Sequence, residues 1–232
     1  MRVRNRAAAL LLAAAALSTA EPYAAEAQHI PSPYRHIEPA QSLSLYSGYL
    51  STSRGDVGIG LASGPTIGLR YAGRIAAPVA GIARLSMTPS ERTIFGRENV
   101  NDPASPLTEL GEVSATIVAA EAGLRLLLTG PRTWHALAPY IEATGALVSV
   151  SGSRTEEERE LPTNQVVDFG PSFAVGVGTG TDWFLTDRLS INLGLQGLLW
   201  RLSIPEGLSS TGREDSEWTR NYGVTVGAAY HF

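Results

Sequence analysis

Residues 217–232 read EWTRNYGVTVGAAYHF. Counting back from the end, Phe232, Tyr230, Ala228, Val226, Val224 and Tyr222 share one parity, and His231, Ala229, Gly227, Thr225 and Gly223 share the other. Successive side chains of an extended strand point to opposite faces, so this stretch is a strand with one oily side and one small or polar side. A half-buried strand of a water-soluble protein alternates in the same way. The rest of the chain has to say which face meets which surroundings.

Seven more stretches alternate similarly, at residues 42–51, 64–75, 79–90, 113–128, 134–150, 169–185 and 189–202. In the second of them Ile67, Leu69, Tyr71 and Ile75 oppose Thr66, Gly68, Arg70, Ala72 and Arg74. In the fourth, Val118, Ala120, Ala122, Leu124 and Leu126 oppose Ile117, Ala119, Glu121, Gly123 and Arg125. The strongly apolar face carries almost no charge, whereas the other is rich in Gly, Ala, Ser, Thr, Arg and Glu. A soluble lipocalin-like barrel has the opposite arrangement, with its oily face inside and its charges in water. An oily exterior around a polar interior is the membrane arrangement.

The connections agree. Residues 76–78, 129–133 and 186–188 make short turns, while the intervening connections run to about 12–22 residues and hold most of the loop charge. Hydrocarbon offers no partner to an open sheet edge, so the eighth strand must pair with the first. The expected fold is therefore all-β: an eight-stranded antiparallel up-and-down transmembrane β-barrel with short periplasmic turns and long extracellular loops. The weakly alternating 79–90 strand is oriented by Arg84, because a lipid-facing arginine at mid-membrane costs about 2–4 kcal/mol. Pro139 marks a bulge or a rim position. Trp200 has inward parity, which calls for a nearby bulge or a cap on the lumen. Trp134, Trp183, Tyr230 and Phe232 fall near the short-turn ends and Trp218 near the opposite end, where aromatic girdles belong.

At the front, MRVRNRAAALLLAAAALSTA places three arginines before an apolar run of 11 residues and a small-residue segment. That order is a secretory signal peptide, too short to span a bilayer, expected over residues 1–27 with cleavage after residue 20 or 27. Residues 28–41 hold three prolines and no periodicity, and read as an irregular periplasmic lead-in to a barrel domain at 42–232. The absence of cysteine excludes a disulfide framework. The net charge of −4 gives no reason to expect a nucleic-acid partner.

The chain resembles the small outer-membrane barrels related to the OmpA membrane domain, OmpX and the opacity-type porins. Tyr46-Ser47-Gly48-Tyr49, Gly64-Pro65-Thr66-Ile67-Gly68, Gly145-Ala146 and the terminal Phe232 carry the resemblance. It implies a place in the outer membrane of a Gram-negative-type bacterium, contact with membrane lipid and lipopolysaccharide, and handling by the barrel-assembly machinery. Tyr230 and Phe232 would then serve as the assembly signal.

Five charged residues of lumen parity in adjacent strands stand out as a group: Arg70, Arg84, Glu121, Arg125 and Glu142. They form either a hydrogen-bonded ion-pair core filling a narrow tube or a gated path for ions or small solutes. Catalysis at an outer rim needs a histidine within reach of its partners, but His29, His36, His135 and His231 all lie in the lead-in or near short turns. No catalytic residue, cofactor or metal site is expected, and the runs Glu156–Glu158 with Glu160, and Glu214, Asp215 and Glu217, read as solvated loop charge. The expected function is a non-enzymatic structural or surface-interaction scaffold displaying extracellular loops to a surface partner of open identity. The alternative is a narrow gated pore or transporter.

Overall fold

A computed structural model of the chain describes residues 32–55, 58–97, 102, 105–152, 155–167, 170–209 and 215–232. The expected leader, residues 28–31 of the lead-in, Glu214 and the start of the 169–185 strand lie outside these residues. From Pro33 onward the described chain is almost all strand: β1 (Tyr34–His36), β2 (Gln41–Ser51), β3 (Gly64–Ala76), β4 (Val79–Arg97), β5 (Leu107–Leu127), β6 (Arg132–Trp134), β7 (Leu137–Gly152), β8 (Ser172–Phe184), β9 (Leu189–Ile204) and β10 (Asp215–His231). A five-residue helix α1 (Glu156–Glu160) and a 3-10 turn (Thr163–Gln165) lie between β7 and β8. No described helix is long and apolar enough to cross a membrane.

All pairings are antiparallel, and the hydrogen-bonded order is β1-β6-β7-β5-β4-β3-β2-β10-β9-β8 with a further pairing of β8 to β7. The long strands therefore return to their starting point. The joining ladder between β2 and β10 runs from Ser42↔His231 to Ser51↔Tyr222. The terminal strand thus holds the first long strand in place, with Gln41 and Phe232 exchanging backbone bonds of 3.1 and 2.9 Å.

The two faces separate as the alternation requires. Leu45, Ile67, Leu69, Leu124, Leu147, Val177, Leu193, Leu195, Val224 and Val226 are exposed, while Arg70, Arg84, Glu121, Arg125 and Glu142 are buried inside the ring. Arg84 does orient β4: it is buried, while Leu85 and Met87 are both exposed on the opposite face. No bulge lies at Trp200: the β9 register passes through it without a shift, and it is buried in the interior among Ile117 and Leu198, with Leu202 and Ile204 buried beyond it. Pro139 pairs with Thr181 without a bulge.

Four expectations need correction. Ten described strands are present where eight were expected, because the lead-in is not wholly irregular: Tyr34–His36 pairs with Arg132–Trp134. That short ribbon takes Trp134 out of the expected 134–150 strand, which begins at Leu137 after positive-φ His135 and Ala136. The expected loop at 91–112 is largely ladder, since β4 and β5 stay paired as far as Arg97↔Leu107 across one register shift at Ile94/Phe95. Charge does not end these strands: beyond the apolar belt Glu91, Glu109 and Glu112 are exposed to solvent, while Arg92 and Arg97 are buried. Finally, the glutamate run is not simply solvated: Glu158 is buried, as described below.

Some inward glycines mark where neighbouring backbone leaves no space. A Cβ on Gly123 would lie 2.0 Å from the Ala143 carbonyl oxygen, whereas one on outward Gly145 would meet nothing nearer than 3.7 Å. Gly123→Val is expected to lower stability by at least about 1–3 kcal/mol through overpacking, and Gly145→Ala to leave it nearly unchanged. Denaturant midpoints of the two variants check this; equal midpoints would contradict the register.

Candidate functional site

The inward side chains converge on one charged layer. Arg84 Nη1 donates to Glu121 Oε2 (3.1 Å) and Gln196 Oε1 (2.7 Å), while its Nη2 donates to Glu142 Oε1. Arg125 Nη2 donates to the other oxygen of Glu142 (3.0 Å) and Arg125 Nη1 to Asp182 Oδ2 (3.2 Å). Arg70 Nη2 lies 3.7 Å from Asp182 Oδ1, and its Nη1 donates to the Tyr140 hydroxyl at 3.3 Å. Acid and base thus alternate in a chain: Glu121, Arg84, Glu142, Arg125, Asp182, Arg70.

Neutral groups complete it. Thr144 Oγ1 and Gln196 Nε2 donate to Glu121 Oε2 at 3.1 and 2.8 Å, and Asn192 donates to both Asp182 and the Tyr140 hydroxyl. The Arg125 guanidinium carbon sits 3.6 Å from the centroid of the Tyr140 ring, a desolvated cation–π contact. All five residues expected from the sequence are brought together here. Asp182 was missed, and it is the one that balances the charge: three arginines meet three carboxylates only when it is included. It shares parity with Gly176, Gly178 and Gly180 on β8, and the surplus of one arginine over the carboxylates within that group of five was the available signal.

The layer separates two small cavities. One of about 30 Å³ lies toward the long-connection end, among Tyr46, Ile117, Glu121, Gln196, Leu198 and Trp200. Another of about 60 Å³ lies toward the short-turn end, among Ile37, Arg74, Arg125, Asp182, Phe184 and His231. Both ends carry further packing. At the short-turn end Arg74 Nη2 donates to the carbonyls of Ile37 (2.6 Å) and Pro39 (2.9 Å), and Ser190 Oγ lies 2.8 Å from His231 Nε2.

At the other end Thr155 Oγ1 accepts from the Glu158 backbone amide and α1 delivers Glu158 to Arg92 in a two-pronged pair of 2.8 and 2.5 Å. Gln165 exchanges bonds with the Arg97 backbone at 3.1 and 3.3 Å. Ile59, Leu202, Ile204 and Leu208 pack into a small apolar cluster. Among the described residues no group of three or more His, Asp or Glu is placed to hold a metal ion. Glu158, considered above as loop charge, is committed to Arg92.

No protein-family model matches the chain, and no curated protein matches it in sequence. Solved structures do match in fold. Neisserial surface protein A superposes with a TM-score of 0.52 at 13% identity, over 87% of this chain and 98% of the other. The outer membrane protein OprG from Pseudomonas aeruginosa gives 0.50 at 13% identity, over 84% and 97%. The chain is similar in fold to these small outer-membrane β-proteins.

Breaking a buried ion pair strands its partner. Asp182→Asn should therefore lower stability by about 3–5 kcal/mol, read as a fall in the urea midpoint of the protein in lipid vesicles. Adding Arg70→Gln should recover part of the loss by restoring neutrality. Additive losses in the double variant would contradict a coupled chain.

Proposed function

We propose that the eight long strands form an antiparallel up-and-down barrel spanning the outer membrane of a Gram-negative-type bacterium, and that the protein is a non-enzymatic scaffold presenting its long connections outside. One observation carries this reading: every long strand contributes large apolar side chains to the outside of a ring whose interior is charged. In water that surface would expose far more contiguous apolar area than a soluble protein tolerates. In a bilayer it is the required surface, and the two-sided pairing of every wall strand meets the demand that no backbone donor be left in hydrocarbon. Short turns at 77–78 and 185–188 fall at one end, the periplasmic one in this reading. Membrane lipid and lipopolysaccharide are then the obligatory surroundings, and delivery by the barrel-assembly machinery, with Tyr230 and Phe232 as its signal, belongs to the same proposal.

The charged layer favours a scaffold over a pore. Each of its guanidinium groups is paired with a carboxylate across the interior, so an ion entering would have to break strong pairs, and the flanking cavities hold at most a few waters. Residues 108–112 of β5, the outer side of α1 and Glu206 after β9 are exposed parts of the long-connection end, where recognition of a partner would occur.

Planar-bilayer recording on the purified protein tests this directly. No stable openings are expected from the wild type, and Arg125→Gln should remain closed or show only brief, irregular events. Stable wild-type openings whose conductance changes with Arg125→Gln would transfer the function to a gated pore.

A further inference from the structure

On the outer surface β8, β9 and β10 run side by side, in rows set by their register. One row is Val177–Gly197–Tyr222 and the adjoining row, toward the long connections, is Val175–Leu199–Arg220. Gly197 leaves the first row without a side chain at its centre. The result is a groove of about 240 Å³ lined by Val175, Val177, Leu199, Arg220 and Tyr222, with a predominantly apolar wall. Gly197 is not there to admit a neighbour. A Cβ at this position would meet only Val177 atoms at 3.9 Å, in contrast to inward Gly48 and Gly123, where it would lie 2.0 Å from a carbonyl oxygen.

The height of the groove follows from the strand. A residue rises about 3.3 Å along a strand, or about 2.5 Å along the membrane normal at a tilt near 40°. Ten residues separate Tyr230, in the inner aromatic girdle, from Arg220, which places Arg220 about 25 Å away, the height of the apolar band. Arg220 therefore sits at headgroup level on the outer side, with the groove immediately below it in acyl-chain territory. Trp218 and Arg201 form the next row, both outward and exposed. Arg201 is steadied by Ser216 Oγ, which accepts from its Nε at 2.9 Å and its Nη2 at 2.8 Å. Among the described residues neither Arg201 nor Arg220 belongs to an ion pair.

Two cations at the headgroup boundary over an apolar groove describe an amphiphile with phosphate above and hydrocarbon below. We infer that this face binds one phosphorylated, multiply acylated glycolipid of the outer leaflet, of the lipopolysaccharide type. Its phosphate lies on Arg220 with Arg201 beside it, and one acyl chain occupies the groove over Gly197. A zwitterionic phospholipid fits less well, because its own ammonium competes for the phosphate that the arginines would hold. The inference rests on the orientation proposed above, with the long connections outside.

The protein extracted from membranes in mild detergent, titrated with bis-phosphorylated hexa-acyl lipid A and examined by native mass spectrometry, provides the test. The wild type should retain one lipid A. Arg220→Gln should weaken retention about ten-fold, as expected for losing one charge-assisted contact, and lipid A stripped of phosphate should bind the wild type comparably weakly. Gly197→Leu, which fills the groove without a backbone clash, should weaken retention while leaving the charges in place. Unchanged retention in both variants, or equal wild-type retention of phosphatidylethanolamine, would overturn the inference. Each variant is checked for the heat-dependent gel mobility of the folded wild type. A wild type that stays monodisperse without detergent would instead sink the membrane reading itself, so the two failures are distinguishable.

Discussion

A guanidinium taken out of water costs several kcal/mol unless an anion and further hydrogen bonds replace its hydration. The interior of this ring holds three at its centre, Arg70, Arg84 and Arg125, and each finds a carboxylate there. The condition is severe because the groups come from distant parts of the chain: Arg84 and Gln196 are 112 residues apart, and Arg70 and Tyr140 are 70 apart. Only when the ring is closed in the right register do they meet. A slip of one residue in β3, β4 or β5 would turn an arginine toward the outside and leave its partner stranded within.

That constraint links the inside of the molecule to its outside. With period-two alternation, fixing Arg84 inward fixes Leu85 and Met87 outward, and fixing Arg125 inward does the same for Leu124 and Leu126. The charged layer and the apolar belt are two readings of one register. Backbone pairing then completes the wall, and the ends are covered locally, by Ile37 with Phe184 at one and by α1 with Arg92 at the other. The same regularity leaves a missing side chain wherever glycine has outward parity, as at Gly145 and Gly197, and at Gly197 the gap widens into a groove between β8, β9 and β10.

Much of this was legible in the sequence, because membrane-type alternation is a local signal that each strand carries for itself. The face of β4 was settled by Arg84 alone, and five of the six charges in the layer were found by parity. What escaped was non-local. Asp182 sits near the end of β8 beside three glycines, where nothing nearby marks it as the counter-ion of Arg70 and Arg125. Glu158 lies in an acidic run whose solvated reading is correct for its neighbours Glu156 and Glu160, and only folding brings it under Arg92. The Tyr34–His36 ribbon is three residues long, below the length at which periodicity can speak. The full length of β4 and β5 is hidden in the sequence because charge past residue 90 marks the end of the apolar belt and not the end of the ladder, which runs on to Arg97↔Leu107.

The chain contains no cysteine, so single cysteines can be placed without ambiguity. Fluorophores attached in turn along residues 191–196 and 222–227, in the protein reconstituted into vesicles, report which solvent each position meets. Quenching by a label carried on lipid acyl chains should alternate with a period of two, strong at 191, 193, 195, 222, 224 and 226 and weak between them. Quenching with the opposite phase, or equal access of a water-soluble quencher to every position, would contradict an apolar exterior wrapped around a charged interior.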